Sequence, residues 1–212
     1  RREKKETSLI SYWPVWASIA AILIFLFALN FKSVNSLSDS PLKQAIAHFE
    51  ELDNCRWMNP GHEVARGSSL FVNDRIELSS GVAHIHFNTG AIMKLRGPSI
   101  VKVNSANSAF LTLGRAAVIA DTKESQGFSI KTPSSTFVDL GTAFAACVGP
   151  DGLSRLDVTQ GKVNLIVEQD HEHHIIQAGE AIFVEPGKRK YLTKIESGDE
   201  SKSFIFEKPY TF

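Results

Sequence analysis

The sequence predicts an all-β chain: a stacked or rolled domain of short strands, solenoid- or sandwich-like, preceded by one transmembrane helix and one short amphipathic helix. Three observations predict it. Near the N-terminus lies a long uncharged apolar run, from Cys55 onward apolar residues alternate with a period of two, and one glycine-centred pattern occurs five times. The expected boundaries are residues 1–8 as a basic cytoplasmic flank, 9–31 as the transmembrane helix and 32–54 as linker and short helix. Residues 55–195 then form the β domain and 196–212 a C-terminal tail.

Thr7 to Phe31 is a run of 25 residues without a charge. At about 1.5 Å per residue a helix of that length crosses the roughly 30 Å of bilayer hydrocarbon. Tyr12, Trp13 and Trp16 gather at one end as an interfacial belt would, and Pro14 falls in the first turns, where a missing N–H costs least. Arg1, Arg2, Lys4 and Lys5 precede the run, while Lys32 alone follows it closely. That bias places the N-terminus in the cytoplasm and the main domain in the periplasm. The residues after the run, Asn30 to Asn35, lack the small-residue pattern of a cleavage site, so a retained anchor is expected over a signal peptide.

Ser33 to Ser40 reads as polar linker. Pro41 to Leu52 reads as a helix, with Ser40 as N-cap and Leu42, Ala45, Ile46, Phe49 and Leu52 as an apolar stripe at helical spacing. Beyond it, Val82 to Phe87, Ile100 to Val103, Phe128 to Ile130 and Val163 to Val167 alternate as strands, with turn residues between them at short intervals. The repeat has the form Φ-x-x-G-x-[AV]-x-Φ, where Φ is apolar, centred on Gly81, Gly114, Gly141, Gly161 and Gly179. Intervals of 33, 27, 20 and 18 residues are too uneven for a strict solenoid. Each glycine is expected to mark a turn at positive φ, with the residues two and four later facing one side of the next strand.

Charge and composition narrow the function. Lys+Arg and Asp+Glu are 23 each, but residues 1–32 carry +3 and the remaining 180 carry −3. A domain of net negative charge without a basic stripe has little to hold a phosphate backbone, so no nucleic-acid partner is expected. Only two cysteines occur, Cys55 and Cys147, which excludes a clustered zinc site; one long-range disulfide and two buried free thiols both remain open. His171, His173 and His174 are the most suggestive metal cluster, yet their segment reads as an exposed polar turn, and His84 and His86 read as the solvent side of a strand. No nucleophile motif is present, so neither catalytic residues nor a metal nor another cofactor is expected. Asp139-Leu-Gly-Thr142 looks like the phosphate loop of actin-like ATPases, but out of that context the expected role of Asp139 and Thr142 is structural, bonding backbone N–H groups around a turn.

A family resemblance emerges from the order of these motifs. Gly67-x-x-Leu70 and Leu78-x-x-Gly81-x-Ala83-x-Ile85-x-Phe87 are followed by Leu95-x-Gly97-Pro98 and by Gly127-Phe128-x-Ile130-x-Thr132-Pro133. Val138-Asp139-Leu-Gly141-Thr142-x-Phe144, Val158-x-x-Gly161-x-Val163 and Ala178-Gly-Glu180 complete the series. Across residues 55–187 it resembles the FecR domain, and Cys55-Arg-Trp57 is similar to the start of FecR-like proteins of planctomycete type. The resemblance implies Gly81, Gly97, Pro98, Thr132, Pro133, Asp139, Gly141, Thr142, Phe144 and Gly161 as structural motif residues. It also implies a single-pass regulator in the bacterial inner membrane. Such a protein acts on an extracytoplasmic-function sigma factor through a cytoplasmic segment, which the few residues before the span do not provide. Its outer domain receives a signal from a periplasmic protein or envelope ligand. An envelope structural or glycan- or ligand-binding module without a sigma-factor partner is the alternative. The 25 residues after Gly187 are too few for the transporter-contacting domain of iron-uptake members.

Overall fold

The computed structural model describes residues 44–59, 64–169, 171–187 and 193–196. These fall in one unit, Lys43–Phe212; the other unit, Arg1–Leu42, lies outside them, as do the expected transmembrane helix and tail. Among the described residues no helix is long and apolar enough to cross a membrane.

Among the described residues thirteen strands follow one another: β1 (Ala47–Trp57), β2 (Ser69–Leu70), β3 (Arg75–Phe87), β4 (Ile92–Ser105), β5 (Ser108–Ala120), β6 (Ser129–Lys131) and β7 (Ser135–Asp139). Then come β8 (Thr142–Val148), β9 (Ser154–Gln160), β10 (Lys162–Val167), β11 (His173–Gln177), β12 (Glu180–Val184) and β13 (Thr193–Glu196). The all-β expectation therefore holds, with two corrections.

The first concerns the helix expected over residues 41–52. Its described part is extended: Ala47 to Leu52 belongs to β1, antiparallel to β3. A register shift between Phe49 and Glu51, a bulge at Glu50, lengthens the spacing of inward side chains from two residues to three. Apolar residues at 49 and 52 thus imitate a helical period on a bulged strand. The β domain accordingly begins before Cys55.

The second concerns strand length. β1, β3, β4 and β5 run for 11, 13, 14 and 13 residues, far from short. They stay long because each is bent at one level. Gly81 sits within β3 and Gly114 within β5, not in turns between strands, and the β3–β4 and β4–β5 ladders shift register beside them. Gly97, followed by a cis peptide to Pro98, lies between them in β4. A Cβ on Gly97 would come within 2.7 Å of the Ser80 backbone, and one on Gly114 would overlap the Pro98 carbonyl oxygen. The sheet creases along a line where neighbouring backbones lie too close for any side chain.

Beyond this crease the sheet divides. The first part of β5, Ser108 to Phe110, pairs in parallel with β6, and its second part, Gly114 to Ala120, pairs antiparallel with β8. One arm continues β6–β7–β10–β11 and the other β8–β9–β12–β13. Gly141, Gly161 and Gly179 stand where the chain passes from one arm to the other. All five repeat glycines have φ between 76° and 95°, so the repeat marks bends, two within strands and three between arms.

Both arms contribute to one apolar core. Ile130, Phe137 and Leu165 come from the first arm and Phe144, Leu156 and Val184 from the second. Phe87 and Phe128 meet edge to face at its centre, with ring centroids 4.8 Å apart. Near β1 the core borders a cleft. Phe49 and Trp57, eight positions apart, would be separated by about 26 Å on a straight strand. Their ring centroids lie 5.7 Å apart, so β1 is sharply bent between them, where its register against β3 shifts.

Candidate functional site

The corner between β7 and β8 holds the most distinctive motif. Asp139 ends β7 fully buried, and the positive φ of Gly141 turns the chain back toward it. The Gly141 N–H donates to Asp139 Oδ2 at 2.8 Å, and the Thr142 hydroxyl donates to Oδ1. Thr142 thus bonds the carboxylate itself, whereas a backbone N–H was the partner expected for it. Burial pushes the Asp139 carboxyl above its ordinary range, and the bonds from Thr142 and Gly141 oppose that rise. With both oxygens held by this chain's own donors, the corner offers little to a phosphate-bound cation.

A second buried polar group lies at the Thr132-Pro133 turn. The Thr132 hydroxyl donates to the Ser135 carbonyl at 2.9 Å and accepts from the Ser135 N–H at 3.0 Å and the Ser154 hydroxyl at 2.8 Å. Ser134 donates in turn to Ser154 Oγ at 2.7 Å. Ser154 belongs to β9 of the second arm, so the turn ties the two arms together through hydroxyls satisfied by each other. Pro133 itself is exposed.

The remaining titratable groups are scattered. His84 and His86 share one face of β3. The His86 ring centroid lies 5.4 Å from that of His48, and His84 Nδ1 is 3.7 Å from Glu51. His171 sits in a turn at φ 57°, while His173 in β11 faces Asn164 at 3.1 Å. Among the described residues no three His, Cys, Asp or Glu side chains are placed to hold a metal ion. Cys55 and Cys147 are both free thiols, and three strands separate β1 from β8, so no disulfide joins them. Burial pushes the Cys147 thiol up to about 12, which leaves it protonated and unreactive at neutral pH.

The described residues also form a cleft beside β1. Its volume is about 410 Å³, with Phe49, Leu70 and Ile76 at its base and Trp57 half-buried at its side. Its rim is polar. Glu77 is held from both sides, by Arg75 Nε at 2.5 Å and by Asn59 Nδ2 at 2.5 Å, and Asp74 Oδ2 accepts from the Phe71 N–H at 2.8 Å. None of these rim residues stood out in the sequence. Trp57 entered only through the resemblance, and a pairing such as Asn59 with Glu77 has no local signature.

Comparison with known proteins accords with this architecture. Residues 74–164, from the start of β3 into β10, match the family model described as FecR protein. No curated protein matches the chain. Two crystal structures of a putative anti-sigma factor from Parabacteroides distasonis resemble it in fold. One has a TM-score of 0.51 at 16% identity, covering 61% of this chain and 62% of that one. The other has a TM-score of 0.49 at 16% identity, covering 60% and 61%. This chain therefore spans about three fifths of the length of the structures it resembles.

Proposed function

We propose that this chain, a FecR-like domain protein, is a single-pass regulator of the bacterial inner membrane, with its β domain in the periplasm and an extracytoplasmic-function sigma factor as its eventual target. The match over residues 74–164 carries this reading, because it covers the creased ladder and both crossings next to Asp139 and Gly161. Signalling by protein contact also suits the chemistry. The buried polar groups of the two turns are spent on each other, and the Cys147 thiol is held protonated, so the domain recognises and relays without catalysing. The charge bias around residues 7–31 supports the orientation.

Two measurements test this. Fusions after residue 40 should be active as alkaline phosphatase and inactive as β-galactosidase. Deleting the gene should change transcription from promoters of one extracytoplasmic-function sigma factor, and restoring the whole gene should reverse the change. Unaltered sigma-dependent transcription would sink the regulatory reading. The 410 Å³ cleft favours one alternative, an envelope ligand-binding module with no sigma partner.

A further inference from the structure

The strand found in place of the expected helix at Ala47 to Leu52 brings together two histidines that lie far apart along the chain. His48 of β1 stands directly across from His86 of β3. At that point β1 is flanked on both sides, by Ser69 of β2 and by His86, and β3 is flanked in turn by Ile92 of β4. Backbone held in a ladder on either side fixes the direction of both side chains before any ligand arrives. The two half-buried rings share the face of the sheet opposite to the core residues Ala47, Phe49, Ile85 and Phe87.

Their geometry is close to that of a shared metal ion. The ring centroids lie 5.4 Å apart, with the ring planes inclined by 35°. A metal about 2.1 Å from one nitrogen of each ring sets the centroids roughly 4.5–5.2 Å apart, for bond angles from square to tetrahedral. Closing the remainder takes less than about 1 Å, which small side-chain rotations supply. The ring nitrogens are also uncommitted. His84 Nδ1 faces Glu51 and His173 Nδ1 faces Asn164, whereas among the described residues no side chain bonds the nitrogens of His48 or His86.

The surroundings narrow the identity of the ion. Two residues further along the same face stand Glu51, His84 and Lys94 in one row, with charges of opposite sign. They supply no third ligand, since among the described residues no three His, Cys, Asp or Glu side chains converge. Two imidazoles completed by water make a mixed nitrogen and oxygen set, which suits copper(II) and nickel(II). Zinc sites take at least three protein ligands, so zinc fits less well.

We propose that His48 and His86 chelate one copper(II) or nickel(II) ion across β1 and β3, with water in the remaining positions. The proposal goes beyond the signalling reading and does not rest on it, because metal binding is measured without any sigma factor.

The test uses the whole 212-residue chain in detergent micelles, purified without a histidine tag. In a background of His62→Asn, His84→Asn, His171→Asn, His173→Asn and His174→Asn, calorimetric titration should find one nickel(II) ion per chain. Loaded with copper(II), the same chain should give an electron paramagnetic resonance spectrum coupled to two nitrogens. His48→Ala or His86→Ala should each weaken nickel(II) at least about tenfold, because a second donor on one scaffold acts at high effective concentration. The double substitution should be little worse than either single one, since losing one donor already ends the chelate. No nickel(II) bound at millimolar concentration, or losses that simply add, would overturn the proposal. So would a copper(II) spectrum with a single nitrogen. If the background chain does not fold, the natural chain decides. Nickel(II) should raise its melting temperature, because the two ligands meet only in the folded state, and should raise that of His48→Ala and of His86→Ala less. Equal rises in all three would overturn the proposal as well.

Discussion

Gly114, in the middle of β5, and Gly179, in the turn between β11 and β12, share a left-handed backbone, with φ of 95° and 83°. Their surroundings differ completely. A Cβ on Gly114 would overlap the Pro98 carbonyl oxygen and Ser99, whereas a Cβ on Gly179 would meet nothing within 4 Å. At Gly179 glycine is needed for its dihedral alone. At Gly114 it is needed both for its dihedral and because the neighbouring strand occupies the place of a side chain. The crease is therefore a packing feature, and the crossing at Gly179 is a local turn. One sequence pattern serves both, since it encodes only the bend.

Substitutions separate the two kinds of site. Gly114→Ala should be the most damaging, because strain at positive φ adds to overlap with backbone that cannot rotate away. We expect a loss of about 3–5 kcal/mol, or about 10 °C in melting temperature. A drop no greater than that of Gly179→Ala would mean that the crease relaxes freely, and the distinction would collapse.

Asp139→Ala should come next. It removes the acceptor of the Gly141 N–H and the Thr142 hydroxyl and so costs about 1–3 kcal/mol. In the same thermal melts, millimolar Mg-ATP should leave the unsubstituted chain unchanged. A saturable rise abolished by Asp139→Ala would instead make this corner a phosphate site.

Gly179→Ala should cost about 1–2 kcal/mol, the strain of a left-handed residue with open space around it. Gly179→Asn should cost less, since asparagine tolerates that region better. Equal losses for the two would show that crowding contributes here as well.

The smallest effect concerns pH. Burial holds the Asp139 carboxyl above its ordinary range in the folded chain, so the folded state binds the proton more tightly than the unfolded state does. The stabilisation that follows is complete below the unfolded value of about 3.9 and is lost as the pH rises through the raised folded value. Asp139→Asn has no such dependence. Measured from pH 7 down to pH 4, the melting temperature of the unsubstituted chain should gain on that of the Asn variant. A gain for the variant would mean that the bonds from Gly141 and Thr142 outweigh burial.

How much of this could be read from the chain alone depended on how far apart the interacting residues lie. Alternation in β3, β4 and β10 is a local property and disclosed the strands directly. The repeat glycines disclosed their positive φ for the same reason. That Gly81 and Gly114 bend strands while Gly141 joins them was hidden, because it depends on what the neighbouring backbone does. The β1 strand was misread as helix since a bulge at Glu50 shifts Leu52 by one position, and a bulge leaves no mark in composition. The cleft was invisible for a stronger reason. Phe49, Leu70 and Ile76 read as ordinary core and are indeed buried, and only the folded chain brings them together at the base of one cleft.

β5 belongs to both arms at once, bonding β6 through its first residues and β8 through its last, with β4 along its whole other side. Neither arm can peel away without breaking bonds to a strand that the other still needs. The two arms should therefore melt in one transition, and local fluctuations should spare their common strand. Amide protons of β5 are expected to be the last in the domain to exchange with deuterated solvent, at rates that report global unfolding, while those of the edge strands β2 and β11 exchange by fraying.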